Sequence, residues 1–209
     1  MPKIKVNDIN MYYEIHGEGF PLLMINGLAT DVNWWFSEMI ESFSQTFKTI
    51  IFDNRGAGRS DKPDIPYSIQ MMANDTIGLM DVLDIKKAHI FGVSMGGAIA
   101  QEIAITFPER VEKLILGCAS CGGSKAVLPS EEIMQMWMNP KKMVPGELVN
   151  ELLSHCFTVD FFENNQDFIS SYKQHIMKYA IPFDSYRHQI EAGMHFNSGL
   201  RLKKISAST

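Results

Sequence analysis

The chemistry-bearing residues of this chain begin with Ser94. It lies in His89-Ile90-Phe91-Gly92-Val93-Ser94-Met95-Gly96-Gly97, where an apolar run meets Gly-x-Ser-x-Gly and a small-residue helix follows at once. That order, strand then turn then helix, is the sequence form of a nucleophile elbow. Its serine is carried on a strained turn with its hydroxyl at the end of a sheet, above a helix N-terminus, and glycines at 92 and 96 let backbone pass close by. A serine hydroxyl is a weak nucleophile that needs a base beside it. It also needs donors for the oxyanion of a tetrahedral intermediate. The backbone N–H of Met95 is one such donor by position. Leu28 N–H is the candidate second donor, because Asn26-Gly27-Leu28-Ala29 directly follows an apolar strand and Gly27 permits a close turn. Other residues carry weaker signals. Asp53-Asn54-Arg55-Gly56-Ala57-Gly58-Arg59-Ser60 is not a phosphate-binding pattern, since no Gly-Lys-Ser/Thr follows, and it reads as a structural turn beneath the site loops. Cys118-x-x-Cys121 lacks a second pair, and four metal ligands cannot be assembled around it. No metal and no cofactor is implied.

The elements that must position Ser94 follow from periodicity. Lys3–Val6 and Met11–Ile15 alternate as a hairpin, and Leu22–Ile25, Phe47–Phe52, Ala88–Val93 and Val111–Cys118 read as strands. Helices are expected over Val32–Phe43 with Asp31 as cap, from Ser68 through Leu83, and over Met95–Phe107, where Pro108 stops the last. Strands alternating with helices predict an α/β fold, a mostly parallel twisted sheet with helices on both faces. Beyond Cys118 the pattern turns helical, with segments at Glu131–Met138, Gly146–Phe157, Gln166–Tyr179 and Ser185–Met194. The organisation expected is a core over 1–118, a helical cap insertion over 119–199, and the start of a return to the core over 200–209. Trp34, Met134 and Trp137, with Trp35, Met136, Met138 and Met143, are placed to line an apolar substrate pocket under that cap. His155, His175, His188 and His195 read as surface or interface residues of the cap.

Composition narrows the classes. The chain has 209 residues, 45% hydrophobic and 21% charged, which suits one soluble globular domain with a sizeable core. A net charge of −5 argues against nucleic acid or an anionic membrane surface as partner, and no apolar run is long enough to span a bilayer. The N-terminus has no signal-peptide pattern, and three cysteines, an odd number, fit reduced thiols in the cytoplasm.

Several segments together resemble the α/β-hydrolase superfamily, in its cap-bearing branch with haloperoxidase-like esterases, 3-oxoadipate enol-lactonases, epoxide hydrolases and proline iminopeptidases. They are Gly17-x-Gly19-x-Pro21-Leu22-Leu23, Asn26-Gly27-Leu28, Phe52-Asp53-x-Arg55-Gly56-x-Gly58-x-Ser60, Gly92-x-Ser94-Met95-Gly96-Gly97 and Phe107-Pro108-Glu109-Arg110-Val111. The resemblance covers about the first 120 residues. It implies a serine hydrolase cleaving a small apolar carboxylic ester or lactone through an acyl-enzyme on Ser94. Serine at the elbow, where epoxide hydrolases carry aspartate, argues against that chemistry. Asn26 stands where the family commonly has histidine. The resemblance also places the catalytic acid and histidine after Thr209, so the chain is expected to be a truncated, weakly active or inactive form. An unpaired apolar edge at Val111–Cys118 is then expected, with self-association through it. Two other readings follow: a non-catalytic ligand-binding or interaction protein on the same scaffold, and an enzyme whose base is a cap histidine.

Overall fold

The computed structural model describes residues 3–127, 129–138, 145–179 and 181–209. Of the residues expected at the pocket, Met143 lies outside the described residues. Six strands form one sheet: β1 (Lys3–Val6), β2 (Ile9–His16), β3 (Phe20–Ile25), β4 (Phe47–Phe52), β5 (Ala88–Val93) and β6 (Val111–Gly117). Their spatial order is β1-β2-β4-β3-β5-β6. The β1–β2 and β2–β4 pairs are antiparallel, and β4–β3, β3–β5 and β5–β6 are parallel.

Alternation along the central strands covers both faces, because successive side chains of a strand point to opposite sides. Leu23 and Ile25 of β3 and Ile50 and Phe52 of β4 enter one core cluster, with residues of α2 (Ile69–Val82) and α3 (Met95–Thr106). Leu22, Met24 and Ile51 enter the other, with Trp35 and, from α1 (Ser37–Ser44), Ile40. From β3 the chain moves to β4 on one side and then to β5 on the other. The ends of β3 and β5 therefore flank a switch point, where open α/β sheets leave a crevice.

The expected helix over Val32–Phe43 is two pieces. A 3₁₀ turn spans Val32–Trp34, capped by Asp31 accepting from Asn33 N–H, and α1 starts at Ser37. Trp35 and Phe36 between them are extended. Trp35 packs into the sheet core with its ring centroid 5.5 Å from that of Phe91, and burying that indole interrupts the helix.

The later residues form α4 (Glu131–Met138), α5 (Pro145–Cys156), α6 (Val159–Asn164), α7 (Gln166–Ile176) and α8 (Phe183–Met194). Helix α6 falls where sequence periodicity predicts none. Thr158 starts it by accepting from Phe161 N–H. Leu153, Ile169 and Ile176 form a separate small core there, with Trp34 and Tyr172 packed on it. The edge of β6 is not bare along its whole length. Ser208 bridges Lys113 in parallel, and its carbonyl accepts from Leu114 N–H at 2.9 Å. Ile115 of the same strand stays exposed.

Candidate active site

Ser94 joins β5 to α3 with φ 56° and ψ −119°. A non-glycine residue with positive φ is strained and persists only where its surroundings hold it. Here Ser94 N–H donates to Gly117 C=O at 2.9 Å, and Ser94 C=O accepts from Gly97 N–H at 2.9 Å. The turn is possible because backbone passes where side chains would stand. A Cβ at Gly92 would meet the carbonyl of Gly96, and one at Gly96 would meet the carbonyl of Ile25. The Ser94 side chain is exposed, whereas Met95 is buried. Ser94 thus stands on a strained strand-to-helix turn, between β5 and α3.

Across the switch point the loop after β3 comes to Ser94. A Cβ at Gly27 would lie 3.2 Å from Ser94 Cβ and 3.7 Å from its Oγ. The loop is pinned at each peptide. Asn26 C=O accepts from Asn54 Nδ2 at 3.1 Å, and Gly27 C=O accepts from the Thr30 hydroxyl at 3.0 Å. Ala29 N–H donates to Gln189 Oε1 at 2.8 Å, with Ala29 at φ 60°. Among the described residues, Leu28 N–H and Met95 N–H carry no hydrogen bond. Both therefore remain available as donors beside an exposed hydroxyl.

The Asp53–Ser60 segment is a buried brace under these loops, as its sequence suggests. Asp53 accepts from Val32 N–H at 2.8 Å and from Arg59 N–H at 2.7 Å. Arg55 is fully enclosed and paired with Asp75 on α2 and with Asp8. Burial, aided by the charge of Asp53, pushes the Asp31 carboxyl up to about 6. Burial likewise raises Asp53.

The remaining predicted residues lie on the helical side. Trp34 packs edge-on to Tyr172 of α7 at 6.2 Å, and its carbonyl accepts from the Tyr172 hydroxyl at 2.7 Å. Met134 and Trp137 lie on α4, where Trp137 C=O accepts from the Tyr186 hydroxyl of α8 at 2.9 Å. Of His155, His175, His188 and His195, His188 is buried, against the segment that carries Asp64 and Tyr67. Its Nε2 lies 2.8 Å from Asp64 Oδ1, its ring packs on Tyr67, and its Nδ1 has no partner. No hydrogen bond joins Ser94 to a histidine among the described residues. The sequence offers no local sign of Gln189 or of the His188–Asp64 pair, whose partners are far away along the chain. The three cysteines form no disulfide, and no group of three or more metal-ligating side chains occurs among the described residues. No described helix is long and apolar enough to cross a membrane.

A strand-turn-helix serine at the switch point of a mostly parallel sheet defines a class. The alpha/beta hydrolase fold family matches residues 21–158, and the chain belongs to it. It is 36% identical over 116 residues to a putative carbamate hydrolase RutD of Azorhizobium caulinodans, covering 56% of this chain and 43% of that protein. It is 31% identical over 169 residues to 3-oxoadipate enol-lactonase 2 of Acinetobacter baylyi, covering 73% of this chain and 63% of that one. The enol-lactonase structure from Burkholderia xenovorans LB400 superposes with a TM-score of 0.86 at 25% identity, over 99% of this chain and 78% of that one. The chain thus spans only part of the length of the curated relatives it matches, 43–63% for these two.

Proposed function

We propose that the protein is a serine hydrolase that cleaves a small apolar carboxylic ester or lactone. The observation that carries the reading is Ser94 itself. It is exposed, strained at φ 56°, seated at the start of α3 and opposed by Gly27. Ser94 Oγ bonds to the substrate carbonyl carbon while its proton passes to the alcohol or enol oxygen, whose bond to that carbon breaks to leave an acyl-enzyme; water then adds to the acyl carbon, a proton returns to Ser94 Oγ, and the carboxylic acid departs. Leu28 and Met95 N–H groups receive the oxyanion, aided by the positive end of the α3 dipole. Helices α4–α8 act as a cap over the site, with Trp34, Met134 and Trp137 bounding an apolar acyl pocket. Relatives named as an enol-lactonase and a carbamate hydrolase support hydrolysis of a small acyl compound. Free cysteines support a cytoplasmic setting.

The second reading is a non-catalytic binding protein on the same scaffold. One observation favours it: the His188–Asp64 pair is spent on docking α8 and makes no bond to Ser94. Turnover of a short-chain p-nitrophenyl ester and of a small lactone, by the wild type and Ser94→Ala, decides between them. Slow Ser94-dependent hydrolysis is the expected result, because no described histidine bonds to the Ser94 hydroxyl. Equal rates in the two proteins would overturn the hydrolase reading and favour the binding protein.

A further inference from the structure

Gln189 lies on α8, has no exposed surface, and spends both ends of its amide on the loops of the site. Its Oε1 accepts from Ala29 N–H at 2.8 Å, and its Nε2 donates to Arg55 C=O at 2.8 Å. One partner is a donor and the other an acceptor, so the amide has a single orientation that satisfies both. Arg55 is itself immobilised by Asp75 and Asp8. A rigid line therefore runs from α2 through Arg55 and Gln189 to Ala29.

We propose that Gln189 is a positioning residue for the oxyanion hole, and that through it the hole is formed only while α8 is docked on the core. The proposal rests on the Ser94 reading above. Peptide units are planar, so fixing one group fixes the direction of its partner. Gln189 fixes the Leu28–Ala29 peptide by its N–H, and Thr30 fixes the Gly27–Leu28 peptide by its C=O. Leu28 N–H belongs to the second of these units, and its direction is set by both. Ala29 sits at φ 60°, a conformation that a residue with a side chain keeps only when held. Removing Gln189 leaves the Leu28–Ala29 peptide free to turn over, which releases the Leu28 α-carbon that it shares with the Gly27–Leu28 unit and leaves Leu28 N–H held from the Thr30 side alone. Loss of one oxyanion donor is costly to the tetrahedral adduct and nearly neutral to the ground state.

The test uses phenylboronic acid, which forms a tetrahedral adduct on a serine oxygen, together with residue-resolved amide exchange. Gln189→Met keeps the side-chain volume and loses both hydrogen bonds, while Gln189→Glu keeps an acceptor for Ala29 N–H. Boronate binding is expected to weaken by about tenfold or more in Gln189→Met and by roughly threefold or less in Gln189→Glu. Ala29 amide exchange should speed up only in Gln189→Met, with protection in α3 and β3 unchanged as the control for folding. Undiminished boronate binding in a folded Gln189→Met, or unchanged Ala29 exchange, overturns the proposal. Should Gln189→Met fail to fold, Gln189→Glu carries the test: wild-type protection of Ala29 with intact boronate binding supports the brace, and fast exchange with intact binding overturns it. Binding that is absent in the wild type, or equal in wild type and Ser94→Ala, overturns the Ser94 reading instead, and Ala29 exchange then still judges the hydrogen bond.

Discussion

Gly27 faces Ser94 so closely that a methyl group at 27 would stand 3.2 Å from Ser94 Cβ. The two residues lie at the ends of neighbouring parallel strands, and the sheet order alone brings them together. Gly27→Ala should displace the nucleophile or the oxyanion loop by a few tenths of an ångström. We expect Ser94-dependent ester turnover to fall by about tenfold or more, since small misplacements are costly at a reacting centre. The melting temperature should move by no more than about 3 °C, which a thermal scan checks.

The strain at Ser94 predicts a trade between stability and chemistry. A positive φ on a non-glycine residue costs on the order of 1 kcal/mol, and glycine relieves it. Ser94→Gly should therefore raise the melting temperature by roughly 2–4 °C for a chain of this size. The same substitution should abolish serine-dependent turnover. A lower melting temperature would show that the serine side chain stabilises the turn.

Asp31 predicts a pH dependence of unusual sign for a carboxylate. Its folded value is pushed up to about 6, from an ordinary 3.8, by burial and by the charge of Asp53. Between those values the folded state binds more protons than the unfolded chain, so stability falls as pH rises through that window. Above about 6 the full cost of ionising Asp31 is present. Asn at this position can still accept from Asn33 N–H, as Asp31 Oδ1 does at 2.8 Å. Asp31→Asn should thus be more stable than the wild type at pH 7.5, by on the order of 1–2 kcal/mol. That advantage should shrink towards pH 4, as urea titrations at several pH values would show.

Arg55 and Asp75 form an enclosed ion pair, with side chains 1% and 3% exposed. Breaking such a pair from one side leaves an uncompensated buried charge, which typically costs about 3–5 kcal/mol. Asp75→Ala should lose stability of that order in urea unfolding. A loss below about 1 kcal/mol would show that Asp8, the exposed second partner, compensates on its own.

Much of the site was legible because its causes are local. Gly92-x-Ser94-x-Gly96 brings carbonyls and α-carbons together within one turn, so residue types and spacing alone imply the strained serine and the helix that follows. The apolar runs of β3, β4 and β5 likewise report burial on two faces, which is the signature of a parallel sheet. The Asp53–Ser60 loop could be set aside as structural because its pattern lacks what phosphate binding requires.

The rest was decided by contacts between distant segments. Val32–Phe43 carries helical spacing, yet burying Trp35 against Phe91 gains more than continuing the helix, and the segment breaks there. Gln189 and His188 sit one position apart on α8 with nothing in their neighbourhood to mark them. Their partners, Ala29, Arg55 and Asp64, belong to the core loops and meet them only when the helical segment packs down. Sequence by itself determined the fold class and the candidate nucleophile, because periodicity and turn chemistry act over a few residues. Tertiary structure decided how the oxyanion loop is held, because a hydrogen bond between segments so far apart along the chain depends on how whole elements pack.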